Sequence, residues 1–177
     1  MGTAPPLSRR ARGVLQPKAL PMLTALPLLA CIGAGTVGGV FFAFSTFVMR
    51  ALAQVPASHG VSAMQRINVA VIHPLFLGVF TGTAILAASC VVASFFPWSA
   101  PRSPFILAAG LLYLAGSFFV TAACNVPRND QLARLSAESP EAAAYWPVYV
   151  REWSKWNHVR TAASAASAAC NAWALAT

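Results

Sequence analysis

Acidic residues are almost missing from this chain. Asp and Glu number four among 177 residues, and Asp130, the first of them, comes after more than two thirds of the sequence. Charged residues of both signs make up 9%, against roughly 25% in a soluble globular domain. So few charges cannot clothe a water-facing surface, and a water-soluble fold is excluded. Cysteine is sparse as well: Cys31, Cys90, Cys124 and Cys170 fall one to each apolar segment, with no CxxC pair. A thiol–disulfide enzyme needs two neighbouring reactive thiols, so these cysteines are read as small buried hydrophobes. HExxH, an i,i+4 histidine pair, and the P-loop, dinucleotide and serine-hydrolase motifs are all lacking. No metal site is expected, because the three histidines (His59, His73, His158) are scattered and His59 is placed in a loop.

What is present is apolar length. Hydrophobic residues reach 58%, and a span of about 20 of them crosses a bilayer core. Four stretches are read as spans: 27–49, 74–96, 105–126 and 159–176. The last is short and rich in Ala and Ser, which suits packing against protein rather than lipid. The fold class expected is therefore all-α, an integral membrane bundle of four transmembrane helices. Residues 1–22 form a basic, Pro-containing tail, expected to be disordered, and 23–177 a single transmembrane domain. The tail resembles a targeting leader, but the apolar run continues past Cys31 to Met49, too far for a removed signal. In the first span, Gly35-xxx-Gly39-xxx-Ala43 makes a small-residue ridge of the kind that packs helices together.

The net charge of +8 does not mark a nucleic-acid binder. Arg9, Arg10, Arg12 and Lys18 lie in the tail, and most other cations end apolar runs, where headgroups and snorkelling account for them. No basic stripe with interleaved aromatics exists. The partner implied is the lipid bilayer.

Four spans place both termini on one side and the first and third connections on the other. That second side collects Arg50, His59, Asn68 and His73 with Asn125, Arg128, Asn129, Trp153, Trp156, Asn157, His158 and Arg160. A one-sided polar cap results. Seven of the twelve cations lie there, and the positive-inside rule leans toward a cytoplasmic cap; which membrane is involved stays open. Ser62-xx-Gln65 reads as a capping box opening a helix that runs through His73-Pro74 with a kink. Ser139-Pro140-Glu141 reads as the start of the last helix, while Pro127 is expected to end the third at Val126. At about 100° per residue, Trp153, Asn157, Arg160 and Ser164 share one face of that last helix, and His158 points elsewhere.

Each residue has a plainer reading. Trp153 and Trp156 suit an aromatic belt, Arg160 suits snorkelling or a wet cavity, and Asn68, Asn125 and Asn157 suit bonds between helices. Their convergence from several helix ends is what suggests a site.

Four blocks sharpen this: GGVFFAFSTFVMRAL (38–52), MQRINVAVIHPLF (64–76), TAACNVPRNDQL (121–132) and WSKWNHVRT (153–161). In order and spacing they resemble the anthrone oxygenase-like family of small four-helix membrane proteins, most specifically through NVPxN and WxxWNxxR. The resemblance covers about residues 28–170. Here His73 stands where the family pattern carries asparagine or another small polar residue. The resemblance implies a monooxygenase that turns a polyketide anthrone into an anthraquinone with molecular oxygen as co-substrate and neither metal nor flavin. His73 or His158 would act as base. Arg160 with Asn157 and Asn125 would stabilise the oxyanion. Trp153 and Trp156 would stack on an apolar aromatic substrate, and Asn68 and Asn129 would complete its contacts. A closed pocket with Asn125, Asn157 and Arg160 turned inward would favour this enzyme. The same residues turned to headgroups, or locked together with no cavity, would favour a non-catalytic membrane scaffold or accessory subunit, and a small transporter is a third reading. A homo-oligomer is compatible with each.

Overall fold

The computed structural model describes residues 19–96 and 101–177, and the side chains from residue 24 onward; most of the N-terminal tail therefore lies outside the described residues. Every element found among them is helical. Helix α1 (Ala19–Ala43) continues through a π-helical segment, Phe44–Val48, into the short α2 (Met49–Leu52). Then come α3 (Ala57–Ala70) and α4 (Pro74–Ala93). Helix α5 (Ser103–Leu111) runs on through two π-helical segments, Leu112–Phe119 and Thr121–Asn125, into α6 (Val126–Ala133). The chain closes with α7 (Pro140–Ala176), 37 residues long.

Three of these rods are long and apolar enough to cross a membrane: Thr24–Leu52, Pro74–Ala93 and Ser103–Ala133. Together with the composition, they make this an integral, multi-pass membrane protein. Helix α7 packs most extensively on α1 and also on α5, while α4 packs on both α1 and α5. The pairings close a ring, so each rod offers one strip inward and the rest outward. Large apolar side chains such as Ile32, Phe47, Ile85 and Phe119 stay exposed, as lipid contact requires.

The structure corrects several local expectations. The helix containing Ser62 and Gln65 begins earlier, at Ala57 behind Pro56, and His59 lies inside it rather than in a loop. Gln65 is not a capping partner: its Nε2 donates to the carbonyls of Leu132 and Leu135, both at 2.9 Å, tying α3 to the end of α6. The helix also breaks before Pro74 instead of kinking through it. Proline drives the preceding residue into extended backbone, and His73 takes φ −91°, ψ 135° and becomes the N-cap of α4. Pro127 does the opposite of what was expected. Val126 remains helical at φ −57°, ψ −49°, and Pro127 falls in the first turn of α6. A proline there lacks only a donor that the first turn leaves unused, and the wide turn before it absorbs the offset.

Helix α7 starts as expected. Ser139 Oγ accepts from the Ala142 amide at 3.1 Å, with Pro140 in the first turn.

The glycine ridge faces the other way. A Cβ at Gly35 or Gly39 would meet nothing within 4 Å. Close approach is made instead at Gly38, where a Cβ would lie 3.1 Å from that of Ser164, and at Gly110, where it would lie 2.7 Å from the Ala87 carbonyl oxygen. The buried strip of α1 is Ala34, Val37 and Phe41, one register round from the ridge. Gly110→Ala should therefore destabilise the protein by roughly 1–3 kcal/mol, since a backbone oxygen cannot step aside. Gly35→Ala should leave the thermal unfolding midpoint in detergent unchanged or slightly raised; equal losses for the two variants would contradict this packing.

Candidate functional site

One face of α7 organises the interior. Its buried residues include Ala142, Trp146, Tyr149, Trp153, Asn157, Arg160, Ser164, Ser167, Asn171 and Ala174, a spacing of three and four that keeps one strip inward, with Ala163 beside it. The strip is aromatic up to Trp153 and polar from Asn157 onward. Arg160 sits just past the change and is only 4% exposed.

The guanidinium is held from several directions. Its Nη2 donates to Asn157 Oδ1 at 2.7 Å, and its Nη1 to Thr121 Oγ1 at 3.2 Å. Its central carbon stands 4.2 Å from the ring centre of Phe41 and 5.0 Å from that of Trp153, so it lies between aromatic faces. The described ion pairs lie elsewhere, from Arg128 and Arg151 to Glu152. Arg160 is thus a buried cation without a carboxylate partner among the described residues.

The π-helical segments supply its neighbours. Thr121 and Asn125 come from one of them and Ser45 from another, and such segments commonly mark functional places in helices. Asn157 Nδ2 donates to the Phe41 carbonyl at 2.8 Å and to Ser45 Oγ at 2.7 Å, linking Arg160 to α1. Asn125 Nδ2 donates to the Trp153 carbonyl at 3.2 Å. Asn129 Oδ1 accepts from the Trp153 indole and from the Tyr149 hydroxyl, each at 2.9 Å. Burial pushes the Tyr149 phenol well above its ordinary value, so it stays protonated and donates. Asn68 reaches this network at its edge, 3.5 Å from Tyr149.

Two buried atoms in the cluster lack partners: Arg160 Nε and Asn125 Oδ1. Leaving such groups unpaired costs about 1–3 kcal/mol each, more when charged. One is a free donor on a cation, the other a free acceptor, both beside Trp153. The pair sets one cationic donor and one amide acceptor within an aromatic surround.

Of the residues expected at the site, Asn125, Asn129, Trp153, Asn157 and Arg160 come together, with Asn68 at the rim. The others do not join them. His73 is exposed, and its Nδ1 accepts from the Leu75 amide at 3.2 Å; His158 is exposed on another side of α7. Neither placement brings a base to Arg160, because the break at Pro74 carries His73 outward and His158, as its position on the helix predicts, lies on another side of α7. Trp156 is half-buried, with Lys155 Nζ 5.6 Å from its ring centre. Among the described residues no three His, Cys, Asp or Glu side chains gather as metal ligands. An open groove of about 450 Å³ on α3, lined by Ser62, Gln65, Arg66, Val69 and Ala70, shares no residue with the cluster. Sequence reasoning missed Phe41, Ser45, Thr121 and Tyr149. Tyr149 was findable, four residues before Trp153 on the same strip. Nothing in FAFSTF singles out Ser45.

A multi-pass helical membrane protein with a buried, carboxylate-free arginine among asparagines and aromatic rings is the class these features define. The family model for anthrone oxygenase matches residues 74–170, more than half the chain, and the chain belongs to that family. The match takes in Asn125 through Arg160 and leaves out the first rod, Thr24–Leu52, which contributes Phe41 and Ser45. Neither a curated protein nor a solved structure matches the chain.

The network makes a stability prediction. Asn157→Ala removes the acceptor for a buried charge and should cost roughly 1.5–3 kcal/mol. Replacing the charge as well, in Asn157→Ala/Arg160→Met, should recover part of that loss. Additive losses in detergent unfolding would show that the two side chains do not act on each other.

Proposed function

We propose that this protein is a membrane-embedded monooxygenase that converts an anthrone-type polyketide to the corresponding anthraquinone with molecular oxygen, at the Arg160 cluster. The carrying observation is the buried guanidinium, unpaired with any described acid, holding a free Nε–H between the Phe41 and Trp153 rings. An anthrone has a carbonyl opposite an acidic methylene. Losing one methylene proton gives a flat enolate whose charge rests on oxygen, and a preorganised cation with Asn157 and Asn125 around it stabilises that charge. The enolate then reacts with dioxygen at the former methylene. One oxygen atom stays as the new carbonyl, and the other leaves as water with the two methylene hydrogens. In this reading the chemistry needs neither metal nor flavin, because the enolate itself supplies the electrons. The site offers oxyanion donors and walls rather than a base, so the proton passes to water at the polar end.

The same reading takes the C-terminal half of α7, about 159–176, as a fourth span. The result is a four-helix transmembrane domain over 23–177 with a polar cap built by the first and third connections. Family membership and the three apolar rods support it. So does the inward strip of α7, whose Ser and Asn side chains lower its hydropathy while turning away from lipid. A homo-oligomer fits the exposed apolar surface.

A second reading, a non-catalytic scaffold, is favoured by one observation: Asn157, Arg160, Thr121 and Ser45 already satisfy much of one another's hydrogen bonding. Oxygen consumption by the purified protein over a panel of anthrones separates the two. Arg160→Met should remain folded and lose about 10²–10³-fold in rate, the usual effect of removing an oxyanion donor. His73→Ala and His158→Ala should stay within a few-fold of the unaltered protein. No uptake with any anthrone, or full activity of Arg160→Met, would leave the scaffold; uptake that tracks bound metal would discard the cofactor-free chemistry.

A further inference from the structure

A row of aromatic rings leads from Arg160 toward the N-terminal end of α7. Trp153 stacks on Tyr149 with ring centres 6.4 Å apart and planes 26° apart. Tyr149 meets two more rings: Trp146, stacked at 5.7 Å, and Tyr145, edge-on at 6.1 Å. Trp146 is a closed branch, 4% exposed and packed on Gly60. Tyr145 is half-buried and reaches the surface. One helix carries all four rings at neighbouring positions of its face, so their spacing is fixed by a single rigid element. Their chemistry is also particular. On the other side of Arg160 the cluster of Phe41, Phe76, Phe80 and Phe118 is mostly phenylalanine, with Tyr113. Benzene rings hold their electrons tightly, whereas indoles and phenols give one up readily.

We propose that Trp153, Tyr149 and Tyr145 form a relay that carries oxidising equivalents from the Arg160 site to the protein surface. The relay rests on the oxygenase reading for its purpose. Ground-state dioxygen has two unpaired electrons and takes electrons from a closed-shell enolate one at a time, so radicals arise beside Trp153. A stray substrate peroxyl radical takes one electron from the Trp153 indole and one proton from water, and becomes a hydroperoxide. Tyr149 returns one electron to the Trp153 radical cation as its phenolic proton shifts along the 2.9 Å hydrogen bond toward Asn129 Oδ1, and the proton comes back when Tyr149 is re-reduced. Tyr145 refills Tyr149 and releases its own phenolic proton to water. A thiol in solution then gives Tyr145 one electron and one proton, and two thiyl radicals couple to a disulfide. The hole leaves the site without breaking a covalent bond of the protein.

The relay is tested without substrate first. A ruthenium–bipyridine photo-oxidant is tethered at Phe47→Cys, one turn from the Phe44 ring that lies 5.6 Å from Trp153, in a background lacking the native cysteines. Flash oxidation should give a tyrosyl radical signal. Tyr145→Phe should weaken that signal and raise oxidised Trp153 in peptide mapping; identical signals and maps would overturn the relay. The second measurement uses anthrone and oxygen with the native cysteines in place. Tyr145→Phe should keep the initial rate, while total turnovers before inactivation fall by an order of magnitude and thiol no longer extends them. Unchanged turnovers would overturn the protective role. Absence of any uptake by the unaltered protein would sink the oxygenase reading alone, since the flash result stands or falls separately.

Discussion

A guanidinium buried among apolar helices without an acid beside it is the constraint on which the rest of this structure turns. Burying a charge among apolar side chains is costly unless hydrogen bonds or a counter-charge compensate it. Here the cost is offset by charge-assisted hydrogen bonds to Asn157 and Thr121 and by two aromatic faces. Each of those partners is held in turn. Asn157 is fixed to the first rod through Phe41 in α1 and Ser45 just beyond it, and Trp153 is fixed by Asn129 and Asn125. One buried charge therefore ties together α1, α7 and the rod that runs from α5 to α6.

The wide helical turns follow from that demand. In a regular α-helix every carbonyl is taken by the amide four residues on, which leaves little for a side chain from elsewhere. Where the winding loosens, side chains and carbonyls move into reach. Ser45, Thr121 and Asn125 all lie in such segments, on two different rods, and all belong to the network around Asn157, Arg160 and Trp153. Pro127 sits just beyond one of them and does not break the rod. The wider turns can still cross lipid, because a π-helical backbone keeps its hydrogen bonds within the rod.

Helix α7 joins two environments along one strip. Its first half carries Trp146, Tyr149 and Trp153, packed with Met49, Val61, Met64 and Leu132 into a cluster with α2, α3 and α6. Its second half carries Asn157, Arg160, Ser164, Ser167 and Asn171; Ser164 bonds to Ser117 and Ser167 to the Ala109 carbonyl on another rod, while Asn171 bonds back to the Ser167 carbonyl. Arg160 stands where these halves meet, with an aromatic path on one side and a polar seam on the other. Family membership, the free Nε–H and the oxidisable rings all bear on that single place.

Much of this was legible in the chain. Four acids in 177 residues forbid a water-facing surface, and the apolar runs give membrane rods wherever they fold, because a backbone in lipid must bond to itself. Ser139-Pro140 marked the start of α7, and the three-and-four spacing of Trp153, Asn157 and Arg160 put them on one face, since helical period is local. Tertiary structure decided the rest. Which side of α1 meets a neighbour was not readable from the Gly35–Gly39 ridge, because small residues permit close approach without requiring it. Whether a proline bends, breaks or merely opens a helix differed between Pro74 and Pro127, according to the winding before each. The histidines looked like chemistry by residue type, but their side-chain directions depend on a break at Val71–His73 and on the turn of α7, which only packing fixes. Ser45 and Thr121 carried no signal of their own; they matter because a distant arginine needs partners, and that need exists only once the rods have met.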